Sequence, residues 1–162
     1  MDAPIGLLSI VKEGQLHGDL WTSDTAAVAG ALRLGSRHVY NLFAIALNPY
    51  GTDDRNRWML GWGIGGHIPV AEEWAIDIDL MGWHVNTGEW TNDFNVLGQL
   101  RVAASYRFFP RLAIFAGVSL NAWLAQDDDA SEWRLGSLHD EHFEKRDLYF
   151  ASWPGVFAGL RF

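Results

Sequence analysis

Trp153-Pro-Gly-Val-Phe-Ala-Gly-Leu-Arg-Phe162 is the stretch on which the reading of the fold turns. Val156, Ala158, Leu160 and Phe162 share one parity, and Phe157, Gly159 and Arg161 share the other. Successive side chains of a strand point to opposite sides of its sheet. The stretch therefore reads as a strand with one continuous apolar face and an arginine on the opposite one. Such a strand needs an apolar medium on one side and a polar place on the other.

The same two-sided pattern recurs upstream. From Leu112 to Leu124 every even position is apolar, while the alternates include Gly117, Ser119 and Asn121. From Val96 to Phe108 the even positions are again apolar, apart from glycine and the phenol of Tyr106, and the odd ones carry Gln99, Arg101, Ser105 and Arg107. Trp74, Ile76, Ile78 and Leu80 oppose Asp77 and Asp79, and Trp58 to Ile68 sets Trp, Leu and Ile against glycines and His67. Nearer the start, Val28, Leu32 and Leu34 oppose Arg33, and Leu16 and Leu20 oppose His17, Asp19 and Trp21. Val39 to Leu47 is apolar on both faces apart from Asn41, so its inward face is left open. Strict alternation over such lengths predicts β-strands. Counting back from Phe162 gives eight strands from about residue 15, and an apolar run at 5–11 leaves ten as the alternative.

The chain has 162 residues, which suits one domain. Nine Trp, nine Phe, four Tyr and seventeen Gly favour strands and tight turns over helices. The absence of cysteine excludes disulfides, thiolate metal sites and cysteine nucleophiles. A net charge of −8 argues against nucleic acid as a partner. No run approaches the roughly 20 apolar residues of a membrane-spanning helix. Met-Asp-Ala-Pro does not begin a secretory leader, so the expectation is a removed leader or a longer parent.

A soluble ring of strands and one in a membrane share the same period. Composition separates them. A solvent-facing strand normally carries lysine and glutamate freely. Here the only lysines are Lys12 and Lys145, neither within a clear strand.

Ending on an aromatic at the apolar parity resembles the closing strand of outer-membrane β-barrel proteins. The Gly-Leu-Leu-Ser-Ile-Val run near the start and the Trp-Pro-Gly-Val-Phe-Ala-Gly ending are also similar to uncharacterised surface-repeat barrel proteins, a likeness that implies no activity. The resemblance implies an all-β fold: an antiparallel up-and-down transmembrane β-barrel in the outer membrane of a Gram-negative envelope. It also implies outer-membrane lipid and the barrel-assembly machinery as partners. Residues 1–162 then form a single barrel domain, with 1–12 as an arm, a plug or a remnant strand. Short connections at 35–38, 69–73 and 109–111 alternate with longer ones at 48–57, 86–95 and 126–147, as periplasmic turns alternate with extracellular loops. Tyr50, Trp58, Trp74, Tyr106, Phe108, Tyr149, Phe150 and Phe162 fall near strand ends, where a membrane-interface aromatic girdle belongs.

With the apolar faces outward, Asp19, Arg33, His67, Asp77, Asp79, Arg101, Arg107 and Arg161 point into the lumen, together with His17. Eight strands enclose a space that side chains fill, so these charges are expected to pair. A wider ring would favour a narrow, porin-like pore. His139, Asp140 and His142, near Asp127, Asp128 and Asp129, are weak metal candidates in an acidic loop. His84 falls at lipid-facing parity near the loop end, where outer-membrane lipid deacylases carry a His and a Ser. The residue two along is Asn86, which removes the nucleophile that the comparison needs, and Glu89 and Ser119 are not assignable to His84 from sequence. The reading is a side-chain-filled barrel with a structural or surface-binding role, an unknown extracellular ligand and no cofactor. A lipid-modifying enzyme, a soluble lipocalin-like or avidin-like carrier and a narrow pore stand as alternatives.

Overall fold

The computed structural model describes residues 15–48, 57–86, 95–126, 138–143 and 148–162. Among them are nine strands and no helix: β1 Gln15–Ser23, β2 Val28–Gly35, β3 Val39–Asn48, β4 Arg57–Pro69, β5 Trp74–Asn86, β6 Asn95–Phe109, β7 Leu112–Ala125, β8 His139–Phe143 and β9 Leu148–Arg161. Every pairing is antiparallel, and each of β1 to β6 pairs with the next in sequence. β7 pairs with β9 and β9 pairs back onto β1, so eight strands close into a ring. The apolar run at 5–11, the possible arm at 1–12 and Tyr50 lie outside the described residues.

β8 is the element that alternation did not expose, because residues 126–147 read as one loop. It occupies a definite gap. Only the last part of β9, Phe157 to Arg161, is covered on that edge by β1. β8 covers the first part, pairing His139 with Ser152 and Phe143 with Leu148. β1 ends at Ser23, so the edge of β9 beyond it is taken by a different strand. Covering that edge satisfies backbone groups that a bare sheet edge leaves unpaired.

The parity is the same round the ring. No Asp, Glu, Lys or Arg occupies an outward position in its eight strands. Leu, Ile, Val, Phe and Trp stand exposed there, with Thr22, Asn41, His84 and Ser152 among the few polar exceptions. The inward positions of β3, unresolved by its sequence, are Tyr40, Leu42, Ala44 and Ala46, all buried.

The interior is filled by setting large side chains against small ones. Gly61 lies opposite Trp83, Gly65 opposite Asp79 and close to Tyr40, and Gly117 opposite Phe157. A Cβ added at Gly61 would stand 2.6 Å from the Trp83 ring, inside van der Waals contact. At Gly159 it would stand 2.6 Å from both Phe115 and the Trp21 Cβ. These inward glycines make room for rings that a narrow enclosure could not otherwise hold.

Ring closure ends in a reciprocal pair of backbone bonds: Gly18 N–H donates to Phe162 O at 2.8 Å, and Phe162 N–H to Gly18 O at 2.9 Å. The Phe162 ring lies over Gly18 on the outer face, 2.5 Å from where a Cβ would be. The packing argument is testable by substitution. Gly61→Ala should lower unfolding stability by about 1–3 kcal/mol, the range for overfilled cores. Gly82→Ala, on the outer face with nothing within 4 Å, should change it by less than about 0.5 kcal/mol. Urea titration of the two variants distinguishes them, and equal effects would contradict the interior-packing account.

Candidate functional site

The charged residues of the inward face meet in the half of the ring nearer the short turns. Arg33 of β2 lies opposite His17, two residues from Asp19 of β1 and so diagonal to it on the same face, and Arg161 of β9 lies directly opposite Asp19 on the other side. Asp19 accepts Arg33 Nε at 2.6 Å and Arg161 Nε at 2.9 Å. Asp77 comes from β5, four strands round the ring from β1, and accepts the Nη1 groups of both arginines, at 3.3 Å and 3.0 Å. The result is a closed cycle of alternating charge: Asp19, Arg33, Asp77, Arg161. It ties opposite walls together across the interior.

Two further groups attach to the cycle. His67 Nδ1 lies 2.7 Å from Asp77 Oδ1, brought there because His67 and Asp77 are direct cross-strand neighbours. Asp79 accepts the Tyr40 hydroxyl and lies 3.5 Å from Arg33 Nη2, while the Arg33 guanidinium sits 4.1 Å over the Tyr40 ring. Asp77 has no exposed surface and Asp19 and Asp79 almost none. Carboxylates so buried are tolerable because each accepts two or more donors or partner charges.

Arg101 and Arg107 behave differently from the expectation that all these charges pair. Arg101 is buried, but among the described residues it forms no ion pair. Its guanidinium lies 4.6 Å from the Trp21 ring and 4.1 Å from the Phe157 ring, with Nη1 donating to Met81 Sδ. Desolvated cation–π contacts of this kind contribute about 2 kcal/mol each. Arg107 is not in the interior network at all. It is exposed at the turn end, where Nη2 donates to the Glu72 carbonyl at 2.6 Å. The strand runs out of the enclosed space before reaching it.

A second polar group fills the other half, and sequence reasoning did not find it. The connection after β1 turns inward: Thr25 and Ala26 are buried, and Asp24 accepts Trp153 Nε1 at 2.8 Å, Asn121 Nδ2 at 3.3 Å and Val156 N–H at 3.2 Å. Gln99 accepts Trp83 Nε1 and donates to Asn121 and Thr25. Inward parity was a signal for Gln99 and Asn121. Nothing in the sequence marks a four-residue connection as an interior cap.

The aromatics expected at strand ends divide. Trp74, Tyr106 and Phe108 form an outward stack with centroid spacings of 4.9 and 4.8 Å, and Phe150 and Phe162 have outward parity. Trp58 also has outward parity and is half-buried. Tyr149 departs from the belt, since its inward parity packs it 5.5 Å from Trp123. Of the weak metal candidates, exposed His139 lies 3.3 Å from Glu141, and the side chains of Asp140 and His142 lie outside the described residues. No group of three His, Cys, Asp or Glu side chains able to hold a metal occurs among the described residues. His84 projects outward between Leu60 and Val96, whereas Ser119 is buried inside, so a wall of sheet separates them. Glu89 lies outside the described residues.

No protein-family model, curated protein or solved structure matches this chain. The geometry alone therefore carries the functional reading. Asp77→Leu should destabilise the fold by about 3–5 kcal/mol, because it takes a shared carboxylate from two buried arginines and opens the charge cycle. A double-mutant cycle of Asp19→Ala with Arg33→Ala should show a coupling of about 0.5–3 kcal/mol. Additive effects in that cycle would mean that the two residues are not energetically linked.

Proposed function

We propose that the ring is a small transmembrane β-barrel of the bacterial outer membrane, with an interior filled by ion pairs and aromatics. Its role is structural or surface-binding, through the connections at the end opposite the short turns. The observation that carries this reading is the division of polarity. The outside of the closed sheet is apolar on every strand and free of Asp, Glu, Lys and Arg, while three aspartates and three arginines are buried within. In water both choices are unfavourable: apolar surface is exposed and charge is desolvated. In a bilayer the first becomes favourable, and a closed sheet leaves no backbone edge facing lipid.

Strand length supports the reading. A 13-residue strand such as β5 is about 40 Å long, and at the usual tilt of such barrels it rises about 30 Å, enough for an apolar band of about 25 Å. The stacked Trp74, Tyr106 and Phe108 suit one interface of that band. Sequence polarity is consistent too, because Asp127, Asp128 and Asp129 belong to a connection at the loop end. An eight-stranded ring filled by a charge cycle and an inward-turned connection suits a closed interior better than a pore. The separation of His84 from Ser119 by the sheet removes the pair that lipid hydrolysis would use.

Fractionation tests the proposal. The protein should partition with outer membranes, require detergent for extraction and migrate faster on gels unheated than boiled. Recovery in the soluble fraction without detergent would refute it. Val118→Arg, at an exposed mid-strand position, should cost about 2–4 kcal/mol in lipid. In planar bilayers no steady current is expected, and a sustained open-channel conductance would contradict the closed interior.

A further inference from the structure

The turn end of the ring opens into a cavity of about 530 Å³. Its lining includes Arg33, Arg37, Arg107, Arg111 and Arg161, half of the ten arginines in a chain whose net charge is −8. Glu72 and Glu73 are the acidic side chains facing it, and His17 and His67 add neutral or positive ring nitrogens. Asp19, Asp77 and Asp79 do not line it. The inner arginines therefore present one side to the cavity, while their carboxylate partners stand behind them.

The rim arginines are the available ones. Among the described residues Arg37 and Arg111 form no ion pair, and Arg107 spends one Nη2 on a backbone carbonyl. Arg37 comes from the β2–β3 turn, Arg107 from the end of β6 and Arg111 from the β6–β7 turn. Guanidinium groups arriving from two connections match an anion with acceptor oxygens pointing several ways, as phosphate has. Phosphate alone would leave most of the volume empty. Tyr40 and Leu112 line part of the remainder and offer apolar surface to an organic body, and the volume falls in the range of small-molecule sites.

We infer that this vestibule binds a phosphorylated small organic group, held by Arg107 and Arg111 with Arg37 and the cavity-facing sides of Arg33 and Arg161. The group is either a free phosphorylated metabolite or the headgroup of an anionic phospholipid. The free-metabolite occupant stands on the cavity alone, whereas the headgroup occupant and the nanodisc comparison rest on the membrane setting proposed above.

Calorimetric titration of the folded full chain with glucose 6-phosphate tests it, with glucose as the matched neutral compound. Saturable binding of the phosphate ester and none of glucose is expected, weakening as salt rises. Arg107→Ala combined with Arg111→Ala should weaken binding at least ten-fold. Both side chains are exposed and outside the buried charge cycle, so the variant should keep the parent's melting temperature. Titration in nanodiscs assigns the source: a free ligand binds equally in phosphatidylcholine and phosphatidylglycerol, whereas a headgroup occupant abolishes the heat in phosphatidylglycerol alone. No saturable binding in phosphatidylcholine at millimolar glucose 6-phosphate, or unchanged affinity in the double variant, would overturn the inference.

Discussion

The four-membered cycle of Asp19, Arg33, Asp77 and Arg161 is the constraint that the rest of the structure accommodates. Its members come from β1, β2, β5 and β9, so it spans the ring instead of decorating one wall. A buried carboxylate that loses a partner is costly. The opposite walls must therefore stay close enough for Asp77 to reach both arginines. That requirement favours a narrow ring and leaves little room for anything but side chains at the level of the cycle.

Narrowness explains the inward residue choices. Wherever a Trp, Tyr or Phe enters the interior, a Gly or Ala commonly faces it: Trp83 with Gly61, Trp21 with Ala29 and Gly159, Phe157 with Gly117, Trp123 with Ala151. Polar tips of the rings are bonded, as when Trp83 donates to Gln99 and Trp123 to Asn95. Large bodies fill space and their N–H groups join a polar lattice, so neither voids nor orphaned donors accumulate. Arg101 is the exception. Its Nε has no hydrogen-bond partner among the described residues, and aromatic faces take the place of a carboxylate.

Much of this is legible in the amino-acid sequence. The long strands β4 to β7 and β9 announce themselves by alternation, and Asp19, Arg33, Asp77, Asp79, Arg101 and Arg161 carry inward parity in the sequence itself. Tyr40 was hidden, because β3 is apolar on both faces and period alone gives it no direction. β8 was hidden because five residues, His139–Phe143, hold too few alternations to stand out in a charged loop. The inward turn at Asp24 was hidden because its partners, Asn121, Trp153 and Val156, are about a hundred residues or more away. Arg107 continued a correct parity past the point where the ring still encloses it.

The two-sidedness of each strand is written in the chain, since a period of two assigns every side chain to a face once one face is known. It also gives β9 one apolar face that is continuous to Phe162. Which charges meet depends on the folded ring. Cross-strand register brought His67 to Asp77 and Arg161 to Asp19, and ring closure carried Asp77 across to Arg33. Parity is a local property of the chain, whereas register and closure depend on contacts between strands far apart in it, and those set the pairings.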